Sequence, residues 1–354
     1  MDLTIDTPKA IRPGEELDLP RLESYLKSAI PGLQGPLAVA QFPSGYSNLT
    51  YLLTVGDREL VLRRPPFGSK VKSAHDMGRE YTVLSALHPI YPAAPKPLAL
   101  CDDPGVIGAQ FYVMDRIRGS IFRGERPQGF NADAATVRGC CEAFVRNLAS
   151  LHALDYEAAG LAGLRKEGSY VERQVFGWIK RYGGSKTDEI PAIDNVMAWL
   201  EDNYPPDAGA TLVHNDYKFD NVVLDPNDPT KIIGVLDWEM CTIGDPLMDL
   251  GTALGYWIEK DDPDLGVINC FLSQEPGMMT RKEVAACYAE LTGRDLANLQ
   301  FYYIFALFKL AVIVQQIYYR YNQGLTKDER FAPLIYVVGA LGHRAADCIQ
   351  SGQI

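Results

Sequence analysis

The first third of the chain alternates short apolar segments with turn residues, a pattern typical of β-strands. Gly56-Asp57 lies between the second and third segments and predicts a tight hairpin turn. Because these connections are short, we expect neighbouring strands to run antiparallel. Five segments are predicted as strands of one sheet: 37–42, 49–55, 59–63, 98–101 and 111–114.

Beyond Gly119 the apolar residues recur at helical spacing. One strand-and-loop block, 211–238, interrupts this helical part, and one earlier helix is expected to begin at Asp76 as its N-cap. The pattern predicts an α+β protein with two lobes. A small antiparallel β-rich lobe would span 1–117, a larger, mostly helical lobe would span 118–354, and a connector would lie at about 114–119. The long helices are predicted at 133–154, 193–203, 281–291, 296–319 and 331–349.

Composition limits the partners of this protein. The 354 residues are 47% hydrophobic, and 45 acidic residues against 34 basic ones give a formal net charge of −11. Such an acidic surface argues against nucleic acid or an anionic membrane as partner, since both are polyanions. The most apolar stretch, 301–314, contains Lys309 and is expected to be a buried helix and not a membrane span.

The cysteines and the N-terminus bear on the cellular compartment. The seven cysteines form no CxxC pair and no cluster with zinc-ligand spacing, so we expect reduced thiols. The first 17 residues have no basic segment followed by an apolar one, and no secretory signal is expected. The sequence therefore predicts a cytoplasmic protein, and it leaves the oligomeric state open.

The candidate chemistry lies in the segment HNDYKFDN, residues 214–221. Apolar segments flank this polar loop, and a following strand, 232–236, ends at Asp237. Phosphoryl transfer needs a carboxylate that orients the attacking hydroxyl and accepts its proton, a role for Asp216. Asn221 and Asp237 offer the oxygen ligands that Mg²⁺ prefers, and Lys218 could offset charge on the transferred group. Each residue alone could instead be a turn former or a cap.

HNDYKFDN followed by VLDWE and IGDPLMDL resembles the aminoglycoside phosphotransferase and choline kinase superfamily. Within it, the chain is similar to kinase-like enzymes whose eukaryotic relatives are fused to acyl-CoA dehydrogenases. The resemblance implies a protein-kinase-like fold, ATP as phosphoryl donor, Asp216 as catalytic base, and Asn221 and Asp237 as Mg²⁺ ligands. It further implies structural roles for His214 and Asp249.

A short loop between the first two predicted strands is the candidate lid over the nucleotide. Its small residues would let backbone amides approach phosphate oxygens, and Gly45, Ser47 and Asn48 are the candidate contacts. The loop has one glycine, so a simple hairpin connection remains the alternative.

A cation on the third strand should hold the phosphates. Arg63 occupies the place where kinases carry lysine, and its guanidinium can grip two oxygens. Period-two alternation puts Val61, the expected adenine contact, on the same face as Arg63. Arg64 is the rival cation, expected to point the other way into solvent. Glu80 resembles the acidic partner of this cation, or it interacts with the N-terminus of its own helix.

The segment after the fifth predicted strand resembles the connector between kinase lobes. The resemblance implies that Met114 lines the adenine pocket. It also implies hydrogen bonds to the adenine edge from the carbonyl of Asp115 and the amide of Ile117. A strand that simply leaves the sheet is the alternative.

The acceptor is open at this point. Carboxylates and aromatic rings suited to a cationic acceptor are Glu239, Asp245, Trp178, Tyr182 and Trp257. Cations suited to an anionic acceptor are Lys180, Arg181 and Arg123. The similarity to kinases fused to acyl-CoA dehydrogenases favours a hydroxy acid or a hydroxyacyl thioester, by analogy.

Two other functions remain possible. A pseudokinase that holds ATP without turnover would fit Arg63 in the lysine position and Asp237-Trp238-Glu239 in place of Asp-Phe-Gly. A protein kinase would need an activation segment ending in Ala-Pro-Glu, but Gly244-Asp245-Pro246 follows almost at once. Because the base and both metal ligands are present, an active small-molecule kinase is favoured.

Overall fold

The computed structural model describes residues 3–43, 48–67, 76–262, 270–326 and 328–354. Gly45 and Ser47, two of the predicted nucleotide contacts, lie outside the described residues. Contacts along the chain divide it into two compact units. Unit 1 comprises Met1–Ile121, Pro127–Gly129 and Asn221–Met240; unit 2 comprises Phe122–Arg126, Phe130–Asp220 and Cys241–Ile354.

Unit 1 contains a five-stranded antiparallel sheet in the order β1-β2-β3-β5-β4. Gly56 makes the β2–β3 hairpin turn with a φ of +62°, a value that favours glycine. The five predicted strands are confirmed, each within one residue at either end: β1 (Leu37–Gln41), β2 (Leu49–Val55), β3 (Arg58–Arg64), β4 (Pro97–Cys101) and β5 (Phe111–Asp115).

One face of this sheet is covered by apolar side chains. Leu60 and Leu62 of β3 belong to that core, together with Leu22 and Leu26 of the first helix. Since successive strand residues face opposite sides, Val61 and Arg63 lie on the other face. The helices of unit 1 are α1 (Leu19–Ala29), α2 (Met77–Leu87) and α3 (Pro104–Ile107).

The start of α2 confirms the predicted N-cap, because the Asp76 side chain accepts a hydrogen bond from the Arg79 amide. The sequence reading missed α1, although Asp18 caps its first turn in the same way.

A second sheet of unit 1 has the strand order β6-β8-β9. Its strands are β6 (Ser120–Ile121), β8 (Val222–Leu224) and β9 (Ile232–Val235). The 221–240 segment groups with unit 1 because β8 pairs with β6 and the Val235 amide donates to the carbonyl of Ala93. The predicted boundary between lobes, near 114–119, stays a prediction. By contacts along the chain, the first segment of unit 1 ends at Ile121.

Unit 2 is mostly helical, with two short strands, β7 (Thr211–Val213) and β10 (Thr242–Gly244), that pair antiparallel. The five predicted long helices are confirmed within a few residues, and α5 and α7 were not predicted. The helices are α4 (Ala134–His152), α5 (Tyr170–Ser185), α6 (Pro191–Asn203), α7 (Pro246–Gly255), α8 (Arg281–Thr292), α9 (Leu299–Asn322) and α10 (Leu334–Ser351).

Helix α9 is the central helix of unit 2. By length and composition it could cross a membrane, but 78% of its most apolar window is buried inside the structure. Its neighbours are α7, α10, α5 and α6. The prediction of a buried helix at 301–314 is therefore confirmed.

The contact between α7 and α9 depends on Gly251. A Cβ atom added there would lie 2.5 Å from the backbone oxygen of Tyr302. We expect Gly251→Ala to destabilise the protein by about 1–3 kcal/mol, because the two helices must separate. The melting temperature measures this effect. Gly339→Ala in α10 is the matched control, since a Cβ there meets nothing within 4 Å, and it should stabilise by about 0.5–1 kcal/mol. Equal melting temperatures for the two variants would contradict the close packing.

Candidate active site

The 214–220 loop of unit 2 follows β7 and carries Asp216. His214 has no exposed surface, and its Nδ1 accepts a hydrogen bond from the Asp216 amide at 3.2 Å. This burial agrees with the structural role predicted for His214. Asn215 has a φ of +67°, a left-handed conformation that is uncommon outside glycine. Among the described residues other than glycine, only Asn215 and Asp237 have a positive φ.

Asp249, in the first turn of α7, holds the backbone of this loop. Its two carboxylate oxygens accept hydrogen bonds from the amides of His214 and Asn215, each at 2.7 Å. The Nε2 atom of His152 on α4 lies 3.1 Å from the same carboxylate. Burial by itself would raise the pKa of the Asp249 carboxyl, but the hydrogen bond and charge of His152 and the interactions with His214 bring it below its usual value. The structural role predicted for Asp249 is therefore confirmed.

Asp216 retains partial exposure, with 20% of its side chain accessible, and has a cation beside it. The Lys218 Nζ lies 3.2 Å from the Asp216 Oδ2 and 4.4 Å from the ring centroid of Tyr256. Burial opposes the charge of Lys218, but interactions with Tyr256 and Asp216 raise its pKa above the ordinary value. An accessible carboxylate with an adjacent ammonium can accept a proton and stabilise a nearby anion.

Asp220 ends this loop and was not singled out from the sequence. Burial raises the pKa of its carboxyl, while the charges of Lys218 and Arg123 act in the opposite direction. Lys218 therefore interacts with two carboxylates, those of Asp216 and Asp220. This explains how one lysine remains charged although it is largely buried.

In unit 1, Arg63 is the centre of an ion cluster. Its guanidinium lies 2.9 Å from Asp237, 3.2 Å from Glu80 and 3.8 Å from Glu239. The predicted Arg63–Glu80 pair is thus present, and Glu80 also accepts from the Trp238 amide. Burial, and then repulsion from Asp237, raise the pKa of Glu80 in spite of Arg63. Three carboxylates thus lie within 4 Å of one buried guanidinium.

Two further side chains hold Glu239 in this cluster. The Asn48 Nδ2 donates to the Glu239 carboxylate at 2.6 Å, and Arg79 donates to the Glu239 carbonyl at 2.8 Å. Asn48 was predicted as a nucleotide contact, and that role stays a prediction. The contact joins the residue before β2 to the segment that follows β9.

The two predicted metal ligands lie at neighbouring strand ends. Asn221 precedes β8 and Asp237 follows β9, and the Leu236 amide donates to the Asn221 carbonyl at 2.8 Å. The described residues contain no group of three or more His, Cys, Asp or Glu side chains that could hold a metal ion. One amide oxygen and one carboxylate still fit Mg²⁺, which takes few protein ligands when phosphates and water supply the others.

The predicted adenine contacts are adjacent in the sheet. Val61 and Met114 are direct cross-strand partners of β3 and β5, and both belong to the sheet face opposite the apolar core. Asp115, at the end of β5, pairs with Arg58 at 3.1 Å. Ile117 packs so closely on β9 that a Cβ at Gly234 would lie 2.8 Å from it. The roles of these residues in nucleotide binding remain predictions.

The prediction that Arg64 is solvated is wrong. Only 2% of Arg64 is exposed, and its guanidinium lies 3.6 Å from the ring centroid of Phe67. It donates to the carbonyls of Ile107 and Pro65 at 2.9 and 3.1 Å. Carbonyl acceptors and an aromatic face together allow this cation to be buried without a carboxylate.

Several candidate acceptor contacts are structural. Asp245 has no exposed surface; it caps α7 and accepts hydrogen bonds from Ala208, Leu247 and Tyr302. Trp257 is buried and donates to the Met279 carbonyl. Trp178, also buried, carries the Arg181 guanidinium over its ring at 4.4 Å. Arg181 is exposed, which leaves its charge accessible to a ligand.

The sequence reading missed three residues that support the 214–220 loop. They come from three different helices, so no local spacing relates them to the motif; they are His152 on α4, Tyr170 on α5 and Lys309 on α9. The charge of Lys309 inside an apolar stretch was the one signal that could have drawn attention to it.

Sequence comparison identifies the relatives of this chain. The profile of the phosphotransferase enzyme family matches residues 38–276. Acyl-CoA dehydrogenase family member 11 of Rattus norvegicus is 37% identical over 340 residues, which cover 93% of this chain and 43% of that protein. The chain therefore spans less than half the length of this relative.

Solved structures confirm the predicted kinase-like α+β fold. A candidate aminoglycoside phosphotransferase from Ralstonia eutropha has a TM-score of 0.77 and 30% identity, over 94% of this chain and 99% of that one. Choline kinase from Cryptosporidium parvum has a TM-score of 0.64 and 14% identity, over 95% and 97%. An aminoglycoside phosphotransferase in ternary complex with AMP-PNP and hygromycin B has a TM-score of 0.57 and 15% identity, over 92% of this chain and 97% of that one.

We expect Asp249→Asn to destabilise the protein by about 3–5 kcal/mol at pH 7, because an amide cannot accept from two loop amides and His152 at once. The Asp249 carboxylate stabilises the fold above its unfolded pKa of about 3.9, and this contribution is lost as the pH falls through the lowered folded pKa. Denaturant unfolding at pH 7 and in acid should therefore show a difference that shrinks with acidity.

The control for this substitution is Asp188→Asn, which changes an exposed carboxylate in the same way. It should alter the free energy of unfolding by less than about 0.5 kcal/mol. A difference between wild type and Asp249→Asn that stays constant from pH 7 into acid would contradict the proposed ionisation.

Proposed function

The chain belongs to the phosphotransferase enzyme family, and from this premise we propose that it transfers the γ-phosphoryl group of ATP to a hydroxyl of a small molecule in a Mg²⁺-dependent reaction. The observation that carries the proposal is the fixed 214–220 loop. Asp249 holds two of its amides, and Asp216 remains partly exposed with Lys218 at 3.2 Å.

Asp216 orients the acceptor hydroxyl and takes its proton as the new oxygen–phosphorus bond forms. ADP leaves with the electrons of the broken bond to the γ-phosphorus. Lys218 offsets the negative charge that builds on the transferred group. Its raised pKa keeps it protonated throughout the physiological range.

On unit 1, Arg63 and the strand-end pair Asn221 and Asp237 provide the groups for ATP. Arg63 offers a fork of donors for phosphate oxygens. Asn221 and Asp237 would hold Mg²⁺, which supplies positive charge to the phosphates. The oxygen atoms of the amide of Asn221 and the carboxylate of Asp237 support a site for a divalent cation. The AMP-PNP complex of one structural neighbour further supports ATP as the donor.

For the acceptor, we propose a hydroxy acid or a hydroxyacyl thioester. The relation to an acyl-CoA dehydrogenase family member supports this class. So does the accessible cation of Arg181, whereas Asp245, a candidate partner for cationic acceptors, is buried as a helix cap. Choline and aminoglycosides are the alternative acceptors, suggested by the structural neighbours.

The short connection between Asp237 and α7 supports a small acceptor over a protein. Only residues 238–245 separate them, and β10 occupies part of this span. A peptide-docking activation segment has no room there.

We expect Asp216→Asn to lower kcat by about 10²–10⁴-fold, because the amide cannot accept the hydroxyl proton. ADP release, measured over a panel of hydroxylated metabolites with ATP and Mg²⁺, gives the rate. Asp188→Asn is the control for loss of a carboxylate and should retain the wild-type rate.

An Asp216→Asn variant as active as wild type would rule out Asp216 as the base. Stabilisation of the wild type by ATP and Mg²⁺ with no ADP release from any acceptor would instead indicate a pseudokinase. Labelling of generic protein substrates would contradict a small-molecule acceptor.

A further inference from the structure

Lys309 is a cation in the core of unit 2. Only 4% of it is exposed, and its Nζ donates to the Asn215 carbonyl at 2.6 Å. The Nζ also lies 5.7 Å from the ring centroid of Trp178. Within the described part of the chain, no carboxylate lies within 4 Å of it. Lys309 thus differs from Lys218, which has Asp216 at ion-pair distance.

Burial of a cation without a paired carboxylate costs free energy, and an apolar residue would suit the middle of α9 better. Burial lowers the pKa of Lys309 to about 8, although the charges of Asp216 and Asp249 act to raise it. Lys309 is therefore protonated at neutral pH and loses its charge in mild alkali. A residue so unfavourable for the core calls for a contribution other than stability.

The partner of Lys309 is the residue in front of the catalytic base. Asn215 adopts the left-handed conformation, which asparagine tolerates better than most residues and which neighbouring groups can hold in place. Three contacts hold Asn215. Its amide donates to Asp249 at 2.7 Å, its side-chain oxygen accepts from the Tyr170 hydroxyl at 2.8 Å, and its carbonyl accepts from Lys309. The carbonyl contact fixes the plane of the Asn215–Asp216 peptide.

We propose that Lys309 is a positioning residue whose protonated Nζ holds the Asn215 carbonyl and so keeps Asp216 in the orientation that phosphoryl transfer requires. This inference rests on the function proposed above. A charged donor makes a bond roughly twice as strong as a neutral one. Loss of the Lys309 proton therefore weakens the restraint on the 214–220 loop without removing the side chain.

The other charges near Lys309 come from several elements. Asp216 and Lys218 lie on the loop, Asp249 on α7 and Arg181 on α5, and Tyr170 of α5 faces Asn215. Asp216 and Asp249 favour the protonated amine, whereas Lys218 and Arg181 oppose it. On the other helices packed against α9, Asp194 of α6 pairs with Lys186, and Arg344 of α10 pairs with Asp262.

The pH profile of kcat tests this role. In the wild type, kcat should fall about fivefold on a limb centred at about pH 8, as the charge-assisted bond becomes a neutral one. Lys309→Met should lower kcat at pH 7 by about 10–100-fold and should lack this limb. Lys309→Arg, which stays charged, should retain activity through pH 9. A merely structural lysine would change the melting temperature and leave the limb in place.

Hydrogen exchange of the 211–218 peptide gives a readout that needs no turnover. After correction for intrinsic exchange, wild-type protection should decrease between pH 7 and pH 9, and Lys309→Met should show the decrease already at pH 7. Gln315→Met is the control on α9, because it removes hydrogen bonds to Ser185 and Thr187 instead. It should leave both the 211–218 exchange and the pH limb unchanged.

Unchanged protection of 211–218 in the wild type across this pH range overturns the proposal, whether or not the variants fold. A limb at about pH 8 in the kcat profile of Lys309→Met would also overturn the proposal. Absence of turnover in the wild type would overturn the proposed function alone, because the exchange measurement still decides whether Lys309 restrains the loop.

Discussion

A buried carboxylate, that of Asp249, determines the backbone path of the loop that carries Asp216. It accepts from consecutive amides of that loop, and His152 completes its hydrogen bonds. Its position depends on α7, which begins at the Asp245 cap and packs against α9 at Gly251. The placement of one partly exposed carboxylate is therefore set by helix packing well outside the motif. Asp249 also lies in the first turn of α7, where the helix dipole favours a negative charge.

The two units present different charge environments to the chemistry proposed for them. In unit 1, the Arg63 guanidinium lies within 4 Å of three carboxylates, those of Glu80, Asp237 and Glu239. In unit 2, the 214–220 loop has Lys218 beside its carboxylates and Lys309 behind its backbone. These two cations suit the stabilisation of a developing anion.

Local sequence patterns predicted the strands and most long helices because each depends on apolar periodicity and turn residues close in sequence. Helix α5 was not predicted because three glycines, at 177, 183 and 184, lower its helix propensity. Tertiary packing stabilises this helix instead. Arg64 was misplaced for a related reason. Alternation along β3 gave its direction correctly, but the carbonyl of Ile107, which makes its burial possible, lies 43 residues away. The motif likewise indicated Asp216, whereas the supports of its loop come from distant helices.

The left-handed residues Asn215 and Asp237 show why the turn-former and catalytic interpretations of this motif do not exclude one another. Asn and Asp tolerate a positive φ better than other side chains, since their short polar groups bond locally. At Asn215 that conformation directs the carbonyl to Lys309 and the side chain to Tyr170. At Asp237 it accompanies the bond to Arg63. Long-range contacts hold this backbone conformation in the folded chain. The residue types Asn and Asp thus allow the left-handed backbone. The tertiary contacts of that backbone then orient the groups proposed to react.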